Sequence, residues 1–325
     1  MSRSAWSTGL RALTTLIVLA AVLWQIDAGA VTRQLHDLRY PWLAAALALT
    51  VPQVAISAWR WRLTAGCMGL TLSLGAAIRE YYLATFLNQI LPGGVLGDAN
   101  RAWRHARGDA DTVAAWHAVF IERFSGQLSL VLVTVAAFWQ SPLLARGMAA
   151  RFSTAPISTP SGMAVAVTIA LLIAASAALA WRNARVAAAI NAFAINLRRS
   201  LLSRHVWPAQ FASSLIVVAS YIGVFLLCAQ AIDLATPVST LVWLIPPVLL
   251  VMALPLSIAG WGLREGAAAL VWSLAGLPAH EGVALSLCYG VLVLVSSLPG
   301  ALVLAWPNNG RLNAGRPQTK ADLRK

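Results

Sequence analysis

The 325-residue chain is 59% hydrophobic and only 11% charged, with a mean hydropathy of +0.72. Soluble domains carry about 25% charged residues, so a cytosolic enzyme, a disordered chain and a secreted disulfide scaffold are all excluded. The net charge of +13 would suggest nucleic acid in a soluble protein, but no basic domain is present to bind it.

A helical span needs roughly 20 apolar residues, so about seven or eight spans are expected, in an all-α polytopic transmembrane bundle. The first apolar run covers residues 12–26, after Arg3 and Arg11, and a retained span is simpler than a cleaved signal because another span follows at once. Further spans are expected near 42–60, 112–139, 161–181, 207–231, 238–254 and 283–305. Trp24, Trp42, Trp59, Trp61, Trp139, Trp181, Trp207 and Trp306 fall at the ends of these runs, where indole rings favour the headgroup level. The segment 140–160, with Pro142, Pro156 and Pro160, reads as an irregular external connection. The basic, Ala-rich stretch 183–203 reads as an interfacial helix.

Two stretches are not clean spans. Residues 72–100 carry Arg79, Glu80 and Asn88, then the break Leu91-Pro92-Gly93-Gly94. Residues 255–277 carry Pro255, Gly260, Gly262, Arg264 and Glu265. Non-helical backbone at membrane depth is tolerated only within protein or beside a water-filled cavity, so both are expected to be re-entrant or broken helices.

Arginine placement sets the expected orientation, because cytoplasmic loops are enriched in cations. Residues 182–206 and the tail 307–325 are basic and are assigned to the cytoplasm, as is the N-terminus. The 42–60 span then ends inside at Arg60 and Arg62. The balance closes if 72–100 enters from the cytoplasm and returns there. In the second half, either 238–277 enters and returns outside as a pair of short helices, or 238–254 and 263–277 both cross. Gly97 and Arg101 follow Pro92 at the same spacing as Gly260 and Arg264 follow Pro255, a hint of an inverted repeat. Residues 1–306 form one membrane domain and 307–325 a basic cytoplasmic tail.

Three constellations could carry chemistry. In the first, Asn88 to Arg101, Pro92, Gly93 and Gly94 break the helix, Asp98 is placed as an N-cap, and Asp98 and Arg101 can pair three residues apart. A phosphate could meet exposed backbone there together with Arg101 or Arg104. The second is Glu122-Arg123 inside an apolar run. Ionisable residues within a span are costly and suggest function by default, although both could snorkel from a cytoplasmic helix end. Glu122 is free to meet an arginine from a re-entrant loop. The third is Gly260-Trp261-Gly262-Leu263-Arg264-Glu265-Gly266. Arg264 at a helix start is disfavoured and needs a partner or an anionic ligand. Cys67, Cys228 and Cys288 form no CxxC pair, and the five histidines show no metal-ligand spacing, so no cofactor or metal is expected.

At these residues the chain resembles the lysylphosphatidylglycerol synthase transmembrane region, a flippase-like family of integral membrane proteins. The resemblance rests on Leu87-Asn88 through Leu91-Pro92-Gly93-Gly94, Gly97-Asp98 and Arg101. It continues through Glu122-Arg123-Phe124-Ser125-Gly126, Gly260 through Gly266, and Leu298-Pro299-Gly300. It implies a helical bundle of the bacterial inner membrane that moves lipids between leaflets, without enzymatic activity of its own. Nothing soluble follows residue 306 here, so the lysyl transfer of the fused synthases is not expected. Membrane lipids with anionic headgroups are the implied partners. The alternative is a non-catalytic membrane partner of a glycosyltransferase or lipid-modifying enzyme. Arg101, Arg123 and Arg264 are placed on a lipid phosphate, with Asp98, Glu122 and Glu265 orienting them or carrying protons. No GxxxxGK[ST] loop is present for intrinsic ATP-driven transport.

Overall fold

The computed structural model describes residues 29, 31–32, 35–91, 94–107, 111–154, 184–201, 206–254, 257 and 259–305. The expected spans 12–26 and 161–181, the tail, and Pro92, Gly93 and Pro255 lie outside them. All regular structure among the described residues is helical. In chain order it comprises α1 (Tyr40–Cys67), α2 (Leu74–Ile90), α3 (Leu96–Ala106), α4 (Thr112–Gln140), α5 (Pro142–Thr154) and α6 (Ala184–Leu201). There follow α7 (Trp207–Ala231), α8 (Val238–Met252), α9 (Leu263–Leu274), α10 (Ala279–Ser297) and α11 (Pro299–Ala305).

Helices α1, α4 and α7, and the continuous stretch Ala279–Ala305, are long and apolar enough to cross a membrane. On α4 the large residues Phe120, Phe124, Leu128, Val131, Val135 and Trp139 are exposed. They recur every three or four residues and so form one apolar outer stripe. The polar residues of α4, Glu122, Ser125 and Ser129, are buried instead. Helix α1 has the same pattern: Thr50, Gln53, Ser57, Arg60 and Thr64, also three or four apart, are all buried. Polar inside and apolar outside is what a lipid solvent selects.

The bundle has two packing centres. One joins α1, α2 and α3 to the first half of α4, around Trp61, Tyr81 and Val119. The other joins α7, α8, α9 and α10, around Phe225, Leu244, Trp272 and Tyr289. Phe225 and Tyr289 stack with centroids 3.8 Å apart. The strongest contact between long helices is α1 against α7.

The first break is a helical hairpin: α2 ends at Ile90, the chain turns, and α3 packs back against α2. Gly97 makes this approach feasible, because a Cβ there would fall on the Ala84 carbonyl oxygen. Gly97→Ala is therefore expected to destabilise by about 1–3 kcal/mol, since neither backbone can give way. A lowered thermal midpoint in detergent checks this; an unchanged midpoint refutes the close packing.

The second break also reverses. Helices α8 and α9 pack together, and at 1.5 Å per residue they are only about 22 and 18 Å long. Each falls short of a hydrocarbon core of about 30 Å, which fits a short helical pair. The turn between them places Ala259, Gly260 and Gly262 at φ of 53°, 80° and 81°, the left-handed region that glycine tolerates best.

Several expectations need correction. Residues 142–154 form α5 rather than an irregular connection: Pro142 occupies the first helical position, where its missing N–H costs nothing. The 42–60 span does not end at Arg60, because α1 continues to Cys67 and buries that arginine. Trp61 is fully buried and so is not an interfacial anchor, whereas Trp42, Trp59, Trp139 and Trp207 are exposed as expected. Asp98 is not an N-cap: α3 starts at Leu96, and Asp98 lies in its first turn, committed to ion pairs.

Candidate functional site

Three of the bundle's helices contribute to one buried chain of alternating charges. Glu122, on α4, is central and fully buried. Its Oε1 lies 3.2 Å from Arg60 Nη2 of α1, and its Oε2 accepts from Arg101 Nη2 of α3 at 3.1 Å. Arg101 Nη2 also donates to Asp98 Oδ1 at 2.9 Å, and Arg123 Nη2 donates to the same oxygen at 2.8 Å. The order Arg60–Glu122–Arg101–Asp98–Arg123 thus ties α1, α3 and α4 together.

Neighbouring groups hold each member. Arg60 Nη2 donates to the Glu122 carbonyl at 2.7 Å and to Ser125 Oγ at 3.0 Å. Gln210 of α7 donates to the same Ser125 Oγ at 3.0 Å. Arg101 lies over the rings of Trp61 and Tyr81, 4.6 and 4.4 Å from their centroids. A guanidinium between two aromatic faces keeps a favourable environment without water. Asn88 joins the two arms of the first break: its Nδ2 donates to Asp98 Oδ2 at 3.0 Å, and its Oδ1 accepts from the Gly97 N–H at 2.8 Å. Gly126 leaves room for Arg60, whose Nη2 would lie 3.2 Å from a Cβ there.

Beside this chain lies a cavity of about 470 Å³. Arg60, Asn88, Gly94, Asp98, Glu122 and Arg123 line it from the first half of the chain. Leu249, Met252, Ser257, Ala259, Gly260 and Tyr289 line it from the second half. The two broken segments, far apart in sequence, therefore face one cavity. Arg123 retains about a third of its side-chain exposure, and its Nε–H has no hydrogen-bond partner among the described residues.

Of the third constellation only Gly260 lines the cavity; Arg264 and Glu265 do not. Arg264 Nε and Nη2 both donate to Glu265 Oε1, at 3.0 and 2.6 Å, and Nε also donates to Ser286 Oγ at 2.9 Å. Glu265 Oε2 accepts the Gly262 N–H at 2.6 Å, which ties the start of α9. Gly290 is needed because a Cβ there would occupy the place of the Arg264 guanidinium. Arg264 is stacked near Trp261 and Tyr289, and Tyr289 in turn lines the cavity.

Of the sequence candidates, Asn88, Gly94, Asp98, Glu122, Arg123 and Gly260 meet at the cavity. Pro92 and Gly93 lie outside the described residues. Arg101, Gly262, Arg264 and Glu265 are not in the lining. Arg101 and Arg264 are buried, and each is paired with a carboxylate of the protein. Arg104 is likewise taken, with Nε 2.7 Å from Glu80 Oε2. Arg101 and Arg264 play matching parts, yet Gly97 lies in a helix and Gly260 in a left-handed turn, so the shared spacing does not reflect a shared backbone.

The residues that sequence reasoning missed are Arg60, Gln210 and Tyr289. Arg60 had a readable signal, the polar stripe Thr50, Gln53, Ser57, Arg60 and Thr64 along an otherwise apolar helix. The profile of the lysylphosphatidylglycerol synthase transmembrane region matches residues 10–300. The chain belongs to this family. It is accordingly an integral, multi-pass membrane protein, and the match takes in α1 to α10 and reaches the start of α11. None of the curated proteins matches the chain significantly.

Proposed function

We propose that this member of the family translocates an anionic lipid between leaflets, taking its headgroup into the cavity between the two breaks. The observation that carries the reading is the charge balance of the ion-pair network beside the cavity. Three guanidinium groups, Arg60, Arg101 and Arg123, stand against two carboxylates, Asp98 and Glu122. One positive charge remains over in a site of low dielectric, and a singly charged anion is its natural complement. Arg123 is the group that can exchange partners. It is the more exposed end of the chain, and Asp98 would keep Arg101 and Asn88 if Arg123 turned to a phosphate. The volume suits a headgroup, and Val217, Val218, Leu249 and Val293 supply an apolar wall for the adjoining chains. The reading assigns no catalytic step, because both carboxylates in the lining are held by two guanidinium groups each.

Reconstitution in liposomes with fluorescent anionic lipids tests this. Wild type is expected to move them faster than empty vesicles do. Arg123→Gln removes a charge-assisted contact worth about 1.5–3 kcal/mol, so the rate should fall roughly 10- to 100-fold with the thermal midpoint nearly kept. Wild-type rates equal to empty vesicles across a lipid panel, or an unimpaired Arg123→Gln, refute the proposal. Absence of translocation combined with co-purification of a glycosyltransferase points to the accessory role instead.

A further inference from the structure

A side chamber of about 50 Å³ adjoins the main cavity and shares Ser57, Tyr81, Thr85, Tyr221 and Tyr289 with it. Thr50, Gln53 and Ser296 belong to the chamber alone. Its hydroxyl protons are largely spent on helix carbonyls. Thr50 donates to the Leu47 carbonyl at 2.7 Å; Ser57, Thr85 and Ser296 donate to those of Gln53, Tyr81 and Val293, each at 2.8 Å. A hydroxyl that has donated its proton offers only lone pairs. Gln53 Oε1 is buried and has no donor among the described residues. Five neutral oxygens in acceptor mode thus belong to residues lining one small space, against one buried unpaired donor among the described residues, the Tyr289 hydroxyl, and no charged side chain lines it.

Unpaired acceptors in a dry interior are costly, so such a space calls for a donor or a cation. Divalent cations favour carboxylate ligands, and the chamber has none. A single water-sized occupant needs about 10–15 Å³, which leaves room here for a dehydrated monovalent ion with a water or two. We propose that the chamber binds a small monovalent cation, sodium or potassium, together with the anion in the main cavity. The coupling follows from charge. Ser57 precedes Arg60 by less than one helical turn, and the ion-pair network that includes Arg60 carries one surplus positive charge that repels a cation until an anion neutralises it. Anion and cation together make a neutral cargo, which is cheaper to move through hydrocarbon than either ion alone. The anion half rests on the translocation reading; the cation site does not.

The test uses the full chain in detergent, in choline chloride, with sodium or potassium chloride exchanged in at constant ionic strength. Thermal unfolding is followed with and without dioctanoyl phosphatidylglycerol as the anionic probe. With the lipid, one of the two ions is expected to raise the midpoint saturably by roughly 5 °C, while choline, too large for the chamber, does not. The apparent cation affinity should be at least about 10-fold weaker without lipid. Gln53→Leu should abolish the response while keeping the midpoint in choline; Thr50→Val serves if that variant does not fold. Equal responses to sodium, potassium and choline overturn the site, and a cation response that lipid does not strengthen overturns the coupling. Lost translocation with an intact cation response counts against the lipid reading alone.

Discussion

Glu122→Ala is expected to remove about 3–5 kcal/mol of stability, enough to prevent accumulation of folded protein in detergent. The reason is what it leaves behind. Arg60 and Arg101 are both buried, and each has its carboxylate contact to α4 through Glu122. Removing that side chain strands charge in a dry interior and raises the surplus of the network from one positive charge to two. Glu122→Gln keeps the volume and an acceptor oxygen, so it should cost less. Glu122→Gln combined with Arg60→Met restores the original balance and should recover part of the loss, since coupled sites are not additive. Yield and thermal midpoint in one detergent measure all three. A Glu122→Ala protein as stable as wild type would contradict the buried network.

Arg264→Ala is expected to cost a similar 3–5 kcal/mol, through the opposite charge. Among the described residues it leaves the Glu265 carboxylate with the Gly262 N–H and the Ser286 hydroxyl. Arg264→Lys should rescue little, because one ammonium cannot reproduce the paired Nε and Nη2 contacts. Gly290→Ala should act in the same direction by displacing the guanidinium. These effects should be equal with and without anionic lipid, since Arg264 does not line the cavity. A stable Arg264→Ala protein that has lost lipid binding would show that Arg264 contacts the ligand after all.

Helix boundaries were legible for the long apolar runs of α4 and α7. The expected span 112–139 is α4, Thr112–Gln140, and its start is fixed by Asp111, whose side chain accepts the Ala114 N–H at 2.9 Å. The span 207–231 is α7 to the residue. Asp98 with Arg101, and Glu122 with an arginine from one of the two broken segments, were also foreseeable, from helical spacing and from the cost of a lone buried charge. Arg60 was misplaced because an arginine after an apolar run looks the same whether it marks a membrane surface or continues a buried polar stripe. Only the period of Thr50, Gln53, Ser57, Arg60 and Thr64 separates the two. Residues 142–154 were misjudged because proline starts helices as readily as it interrupts them.

By itself the sequence determined the solvent of this protein, its helical class, the two broken segments and the few charges worth attention. Those follow from composition and local spacing, since hydrocarbon forces backbone hydrogen bonds to close within each helix. Only the tertiary structure decided which charges face the cavity and which are spent on each other. Arg123 was left with a third of its side chain exposed, whereas Arg101 and Arg264 were consumed by Asp98, Glu122 and Glu265. Arg60 reaches Glu122 only through the contact of α1 with α4, distant in sequence, so no local pattern could assign that pair.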